Sequence, residues 1–134
     1  IENLKQLFLL LTGSAGNKLK KDLIDQQEIV MNLSDILTEI FVLESTFLRA
    51  EKAKATKHAK ADLFAKIAEV QAFDASEKVH TAAKEVINAY TSGLENKMMK
   101  KFLRNLVPDN TLNTKEYRRE IAKSLITDNG YSLS

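Results

Sequence analysis

The sequence predicts an all-α protein, an up-and-down four-helix-type bundle with two long central helices, an N-terminal helix and two shorter C-terminal helices. Three observations carry that expectation. Apolar residues recur every three or four positions along nearly the whole chain of 134 residues, and no stretch alternates at period two for long. A single Pro, four Gly and no Trp speak against a turn-rich β-sandwich. A hydrophobic share of 44% and a charged share of 28% suit one ordinary domain with a single core, so residues 1–134 are expected to form one helical domain.

The first stripe is Leu4, Phe8, Leu11, Ala15 and Leu19, and it passes through Gly13 and Gly16. Either the helix stops at Thr12 and residues 13–17 form a loop, or one helix runs from about Glu2 to Lys21. Each interior Gly costs roughly 1 kcal/mol against Ala, which tertiary packing can offset. The stripe keeps its phase across both glycines, which favours the long helix.

The second helix opens with Asp25 followed three residues on by Glu28, a capping-box spacing. Val30, Leu33, Leu37, Ile40 and Phe47 are expected to form its buried stripe, widened by Ile29, Ile36, Phe41, Leu43 and Leu48. A band that wide suits a helix touching two neighbours. A turn near Ala55-Thr56 leads into a third helix from about Lys57 to Ser92, with Phe64, Ala68, Ala72, Ala75, Val79, Ala83, Val86 and Tyr90 on one face. Gly93 then stands where a left-handed closing residue is expected.

The fourth helix carries Leu94, Met98, Met99, Phe102, Leu103 and Leu106, and Val107-Pro108-Asp109-Asn110 stops it, because Pro disfavours the α conformation before it. Asn113 with Glu116 offers a second capping box. The last helix shows Tyr117, Ile121 and Leu125, flanked by Ala122 and Ile126, and ends at Asn129-Gly130.

Composition and motifs exclude most chemistry. There is no Cys, so disulfides, thiolate metal sites and cysteine nucleophiles are ruled out. A net charge of +2 does not make nucleic acid the default partner, although a pI of 8.8 leaves room for a basic face. The apolar run Leu7–Leu11 is far short of the ~20 residues that cross a bilayer. No Gly-x-Ser-x-Gly elbow, dinucleotide fingerprint or Walker loop is present. The chain opens at Ile1 without an initiator Met, and is read as a piece of something longer.

Three features remain. Glu77-Lys78-Val79-His80 is one Glu-x-x-His motif, of which a bundle di-metal site needs two, and no second one exists around His58. The plain reading places His80 at the edge of the buried stripe. Glu44 falls in the register of Val30 and Leu37, where an apolar residue is expected. A buried carboxylate there needs a partner or a shifted pKa. One reading makes Glu44 a proton-transfer base. The favoured one makes it a buried polar contact to a facing group such as His80, Lys84, Tyr90 or Arg104. Finally, Lys52, Lys54, Lys57 and Lys60 surround the turn after the second helix. Lys97, Lys100, Lys101 and Arg104 lie on the fourth beside Met98, Met99 and Phe102. Such an amphipathic basic helix is ordinarily a solvated outer face, and alternatively a membrane or partner surface. No catalytic, cofactor-binding or metal-ligating residue is assigned.

Residues 27–30 (Gln-Glu-Ile-Val), 33–37 (Leu-Ser-Asp-Ile-Leu) and 43–52, from Leu43-Glu44-Ser45-Thr46-Phe47 to Glu51-Lys52, resemble the C-terminal extension of long-form acyl-CoA dehydrogenases, the very-long-chain type and its bacterial relatives. Tyr117-Arg118-Arg119-Glu120-Ile121-Ala122 is similar to that extension's last helix, and the resemblance runs from about Leu4 to Tyr131. It implies a parent flavoenzyme that oxidises acyl-CoA thioesters between the α and β carbons with FAD and a glutamate base. That base and the flavin contacts lie in the upstream core, so Glu44 is not that base. The resemblance also implies docking onto the core, a homodimeric parent and, in some members, membrane association. This chain is then expected to be inactive and cofactor-free by itself, cytoplasmic, with peripheral contact at the inner face of a membrane as the further option.

Overall fold

The computed structural model describes residues 1–108, 112–131 and 133. Among these residues five α-helices appear in order: α1 (Glu2–Leu19), α2 (Gln27–Ala55), α3 (Ala61–Tyr90), α4 (Gly93–Leu106) and α5 (Thr114–Thr127), with a 3-10 turn over Lys20–Asp25 between the first two. Among the described residues there is no strand, and the all-α bundle expected from the periodicity is what forms.

The long first helix is correct. α1 runs through Gly13 and Gly16, and open space lies beside both glycines. It stops at Lys20, whose backbone turns left-handed (φ 51°) while its N–H returns to the Gly16 carbonyl. α2 begins one residue later than a cap at Asp25 requires. The Gln26 carbonyl accepts from the N–H groups of Ile29 (3.1 Å) and Val30 (3.2 Å), so Asp25 belongs to the 3-10 turn.

α2 closes in a two-bond motif around a left-handed residue. The His58 N–H reaches the Ala53 carbonyl at 2.9 Å, the Lys57 N–H reaches Lys54 at 3.1 Å, and Lys57 has φ 53°. This motif shortens the third helix at its start, which the periodicity placed near Lys57. His58 then serves the next helix: its Nδ1 accepts from the Lys60 N–H at 3.0 Å, and its ring stands edge-on to Phe64. The same closing motif ends α5, with Asn129 (φ 52°) as the left-handed residue. Its N–H bonds Ile126 at 3.2 Å, and the Gly130 N–H bonds Leu125 at 3.1 Å. Gly93 adopts the expected left-handed backbone (φ 60°) and opens α4. Asn113 occupies the cap position of α5, but its side chain makes no capping bond.

The helices group into two compact units that share α2 and α3: Ile1–Phe41 with Ala75–Asn110, and Val42–Asp74 with Thr111–Ser134. In the first, buried side chains come from all four helices: Leu7, Leu11 and Ala15 on α1; Ile29, Leu33, Ile36 and Ile40 on α2; Ala75, Val79, Ala83, Val86 and Ile87 on α3; Met99 and Leu103 on α4. Tyr90 donates to Ser14 Oγ, Lys18 pairs with Glu95 at 2.7 Å and Lys78 with Glu39 at 3.0 Å.

In the second unit the core is small: Ala50, Ala53, Phe64 and Leu133 are buried, with Ala61, Leu63, Ile67 and Ala68 against them. Arg49 donates to the Leu133 carbonyl at 2.5 Å and lies over the Phe64 ring. α5 buries no residue fully. It is tied by Arg118–Asp74 at 2.6 Å and by the pairs Lys66–Glu120 and Lys60–Asp128. The Glu120 bond holds the Lys66 ammonium above its usual pKa, and the Glu69 carboxylate raises the Tyr117 phenol.

Candidate functional site

The buried stripe of α2 differs from the expected one. Ile29, Leu33, Ile36, Ile40 and Leu43 are buried at alternating steps of four and three, whereas Val30, Leu37, Phe41, Phe47 and Leu48 are exposed. Phe41 is 71% exposed. A wide apolar band contains two stripes about 100° apart, and period alone does not say which one faces the core. The stripe through Val30, Leu37 and Phe41 is the outer one.

Glu44 falls in that outer register and is half-buried. The groups considered as its partners are placed as follows. Tyr90 is engaged by Ser14 at 2.9 Å, and burial raises its phenol pKa while that hydrogen bond opposes the rise. His80, Lys84 and Arg104 come together in one cleft.

That cleft lies between α3 and α4 and has a volume of about 400 Å³. His80 and Lys84, one turn apart on α3, and Lys100 and Arg104, one turn apart on α4, line it with Pro108. Leu103 and Val107 also line it, and both are buried. The basic cluster of the fourth helix therefore divides. Lys100 and Arg104 join the cleft, while Lys97 and Lys101 sit among exposed Leu94, Met98 and Phe102 on the outer side. Met99 and Leu103 alone of the expected apolar face are buried. Around the turn after α2, Lys60 is neutralised by Asp128.

A second cavity, of about 470 Å³, is lined by carboxylates from α2 and α3: Asp35, Glu39, Glu77 and Glu85, with Lys78 among them. Glu77 is exposed at this cavity, whereas His80 is half-buried and lines the cleft between α3 and α4, so the two ends of the Glu-x-x-His motif serve different spaces. Among the described residues no group of three or more histidines and carboxylates is placed to hold a metal ion. No described helix is long and apolar enough to cross a membrane.

Residues 3–105 match the family described as acyl-CoA dehydrogenase, C-terminal domain. The chain belongs to that family. It is 30% identical over 137 residues to a probable acyl-CoA dehydrogenase of Bacillus subtilis, covering 99% of this chain and 23% of that protein. It is also similar to the crystal structure of an acyl-CoA dehydrogenase complexed with FAD from Bacillus anthracis. There the TM-score is 0.93 and the identity 33%, over 98% of this chain and 22% of the other. This acyl-CoA dehydrogenase C-terminal domain thus spans less than a quarter of each of these two relatives.

The larger cavity is walled by carboxylates, which repel a pyrophosphate such as a flavin dinucleotide carries. The sequence reading missed two things: the outer stripe of α2 and the convergence of α3 and α4 on one basic cleft. The width of the α2 band was a signal for the first; nothing local signalled the second.

Proposed function

We propose that this chain is the C-terminal helical domain of a long-form acyl-CoA dehydrogenase, with a bracing and docking role toward the dehydrogenase core of the same polypeptide. In that parent, a homodimer, the core carries out FAD-dependent α,β-oxidation of acyl-CoA thioesters, and no residue of this chain takes part in the chemistry. The observation that carries this reading is the pairing of nearly complete coverage of this chain with 22–23% coverage of the relatives. The exposed apolar side chains of α2 support it, since a row of Val30, Leu37 and Phe41 in water costs hydrophobic free energy that docking would recover. Reading the coding sequence upstream of Ile1 tests it. A flavin-dependent dehydrogenase core there is the expected result, and an unrelated domain overturns the assignment.

A second reading rests on α4. Leu94, Met98 and Phe102 are exposed and interleaved with Lys97 and Lys101, the arrangement of a helix that lies on an anionic membrane surface or binds an acidic partner. Flotation with anionic liposomes decides it: salt-sensitive binding lost in a Phe102→Glu variant supports membrane contact, and absence of binding removes it.

A further inference from the structure

We propose that the cleft between α3 and α4 is a binding site for a phosphate group. The inference is independent of the parent enzyme's activity and rests on geometry and charge within one compact unit. His80 and Lys84 present an imidazole and an ammonium from one helix, Lys100 and Arg104 a pair of cations from the other, and among the described residues no carboxylate lines the space they share. Elsewhere among the described residues cations meet carboxylates, as at Lys5–Glu2, Lys18–Glu95, Lys60–Asp128, Lys66–Glu120, Lys78–Glu39 and Arg118–Asp74. Among the described residues no such ion pair engages the side chains of the cleft.

Like charges gathered over buried apolar residues repel one another, and low-dielectric walls concentrate their field. Leu103 and Val107 provide such walls. An anion relieves the repulsion. The donor set specifies which kind: the planar Arg104 fork suits two oxygens of a tetrahedral anion, and two ammonium groups satisfy the rest as point charges. A single carboxylate offers too few lone pairs and too little charge for this set. A phosphate monoester dianion matches both. At about 400 Å³ the cleft also exceeds a bare phosphate, leaving room for the group esterified to it. Free phosphorylated solutes and a lipid headgroup share this chemistry.

The test uses the natural polypeptide that carries this chain, titrated with inorganic phosphate at constant ionic strength, and separately with phosphatidylcholine vesicles with and without phosphatidic acid. Binding should saturate, and the double variant K100Q/R104Q should weaken it at least tenfold. The double variant K97Q/K101Q, altered on the same helix outside the cleft, should bind as the parent does. Phosphate should move the ring resonances of His80 and leave those of His58 in place. Circular dichroism of each variant checks that the helices persist. Cleft-dependent binding of dissolved phosphate identifies a soluble source, and cleft-dependent binding of phosphatidic acid vesicles alone identifies a lipid headgroup. No saturable binding to either probe, or equal binding by K100Q/R104Q, overturns the proposal.

Discussion

The Tyr90 hydroxyl donates to Ser14 Oγ at 2.9 Å and joins the end of α3 to the glycine-flanked part of α1. The bond exists because α1 continues through Gly13 and Gly16; a loop there would carry Ser14 elsewhere. Tyr90→Phe is expected to cost about 1 kcal/mol at neutral pH, the net worth of one neutral hydrogen bond. Urea unfolding measures it, and an unchanged midpoint would show that the bond adds nothing.

The same residue sets an alkaline limit. Burial raises the Tyr90 phenol above its ordinary 10.0, and the Glu120 bond raises Lys66 above 10.5. In the unfolded chain both groups lose protons at their ordinary values while the folded state still holds them. The unfolded state then binds fewer protons, so stability falls as pH climbs past about 10 and on through the raised folded values. Below that window the contribution is fully present. Urea midpoints at pH 7, 9 and 10.5 should decline only at the last, and Tyr90→Phe should shallow the decline.

Glycines at two places should respond in opposite directions. Gly93 has φ 60°, so Gly93→Ala places a Cβ in left-handed backbone at a cost of about 1–2 kcal/mol. Gly16 is inside α1 with open space where a Cβ would go, so Gly16→Ala should stabilise by about 1 kcal/mol. Thermal melts of the two variants read both signs, and a lower melting temperature for Gly16→Ala would contradict the helical assignment.

The two stripes of α2 should separate by mutation. Ile36 is fully buried, and Ile36→Ala should cost about 2–5 kcal/mol. Phe41 is exposed, so Phe41→Ala should change the stability of the chain alone by no more than about 0.5 kcal/mol. Chemical denaturation of both variants makes the comparison. A large loss for Phe41→Ala would mean that this face is already covered within the chain.

The sequence by itself determined the helices. Spacing of apolar residues located all five, Gly93 and Asn129-Gly130 marked real left-handed positions, and Val107-Pro108 ended α4. Those signals are local: a helix registers its own period, and a left-handed residue or a proline acts within a few positions of itself. Tertiary structure decided which side of α2 turns inward. Both Leu37 and Ile36 satisfy the helical period, and only the neighbouring helices choose between them. It also decided that α3 starts at Ala61, since the His58 ring must meet Phe64 and cap the Lys60 N–H. Most of all it brought His80 and Lys84 to the same cleft as Lys100 and Arg104, across a separation in sequence that no period spans. A periodic pattern fixes the rotation of each helix about its own axis only up to the width of its apolar band, and side chains from different helices meet only after packing fixes the rest.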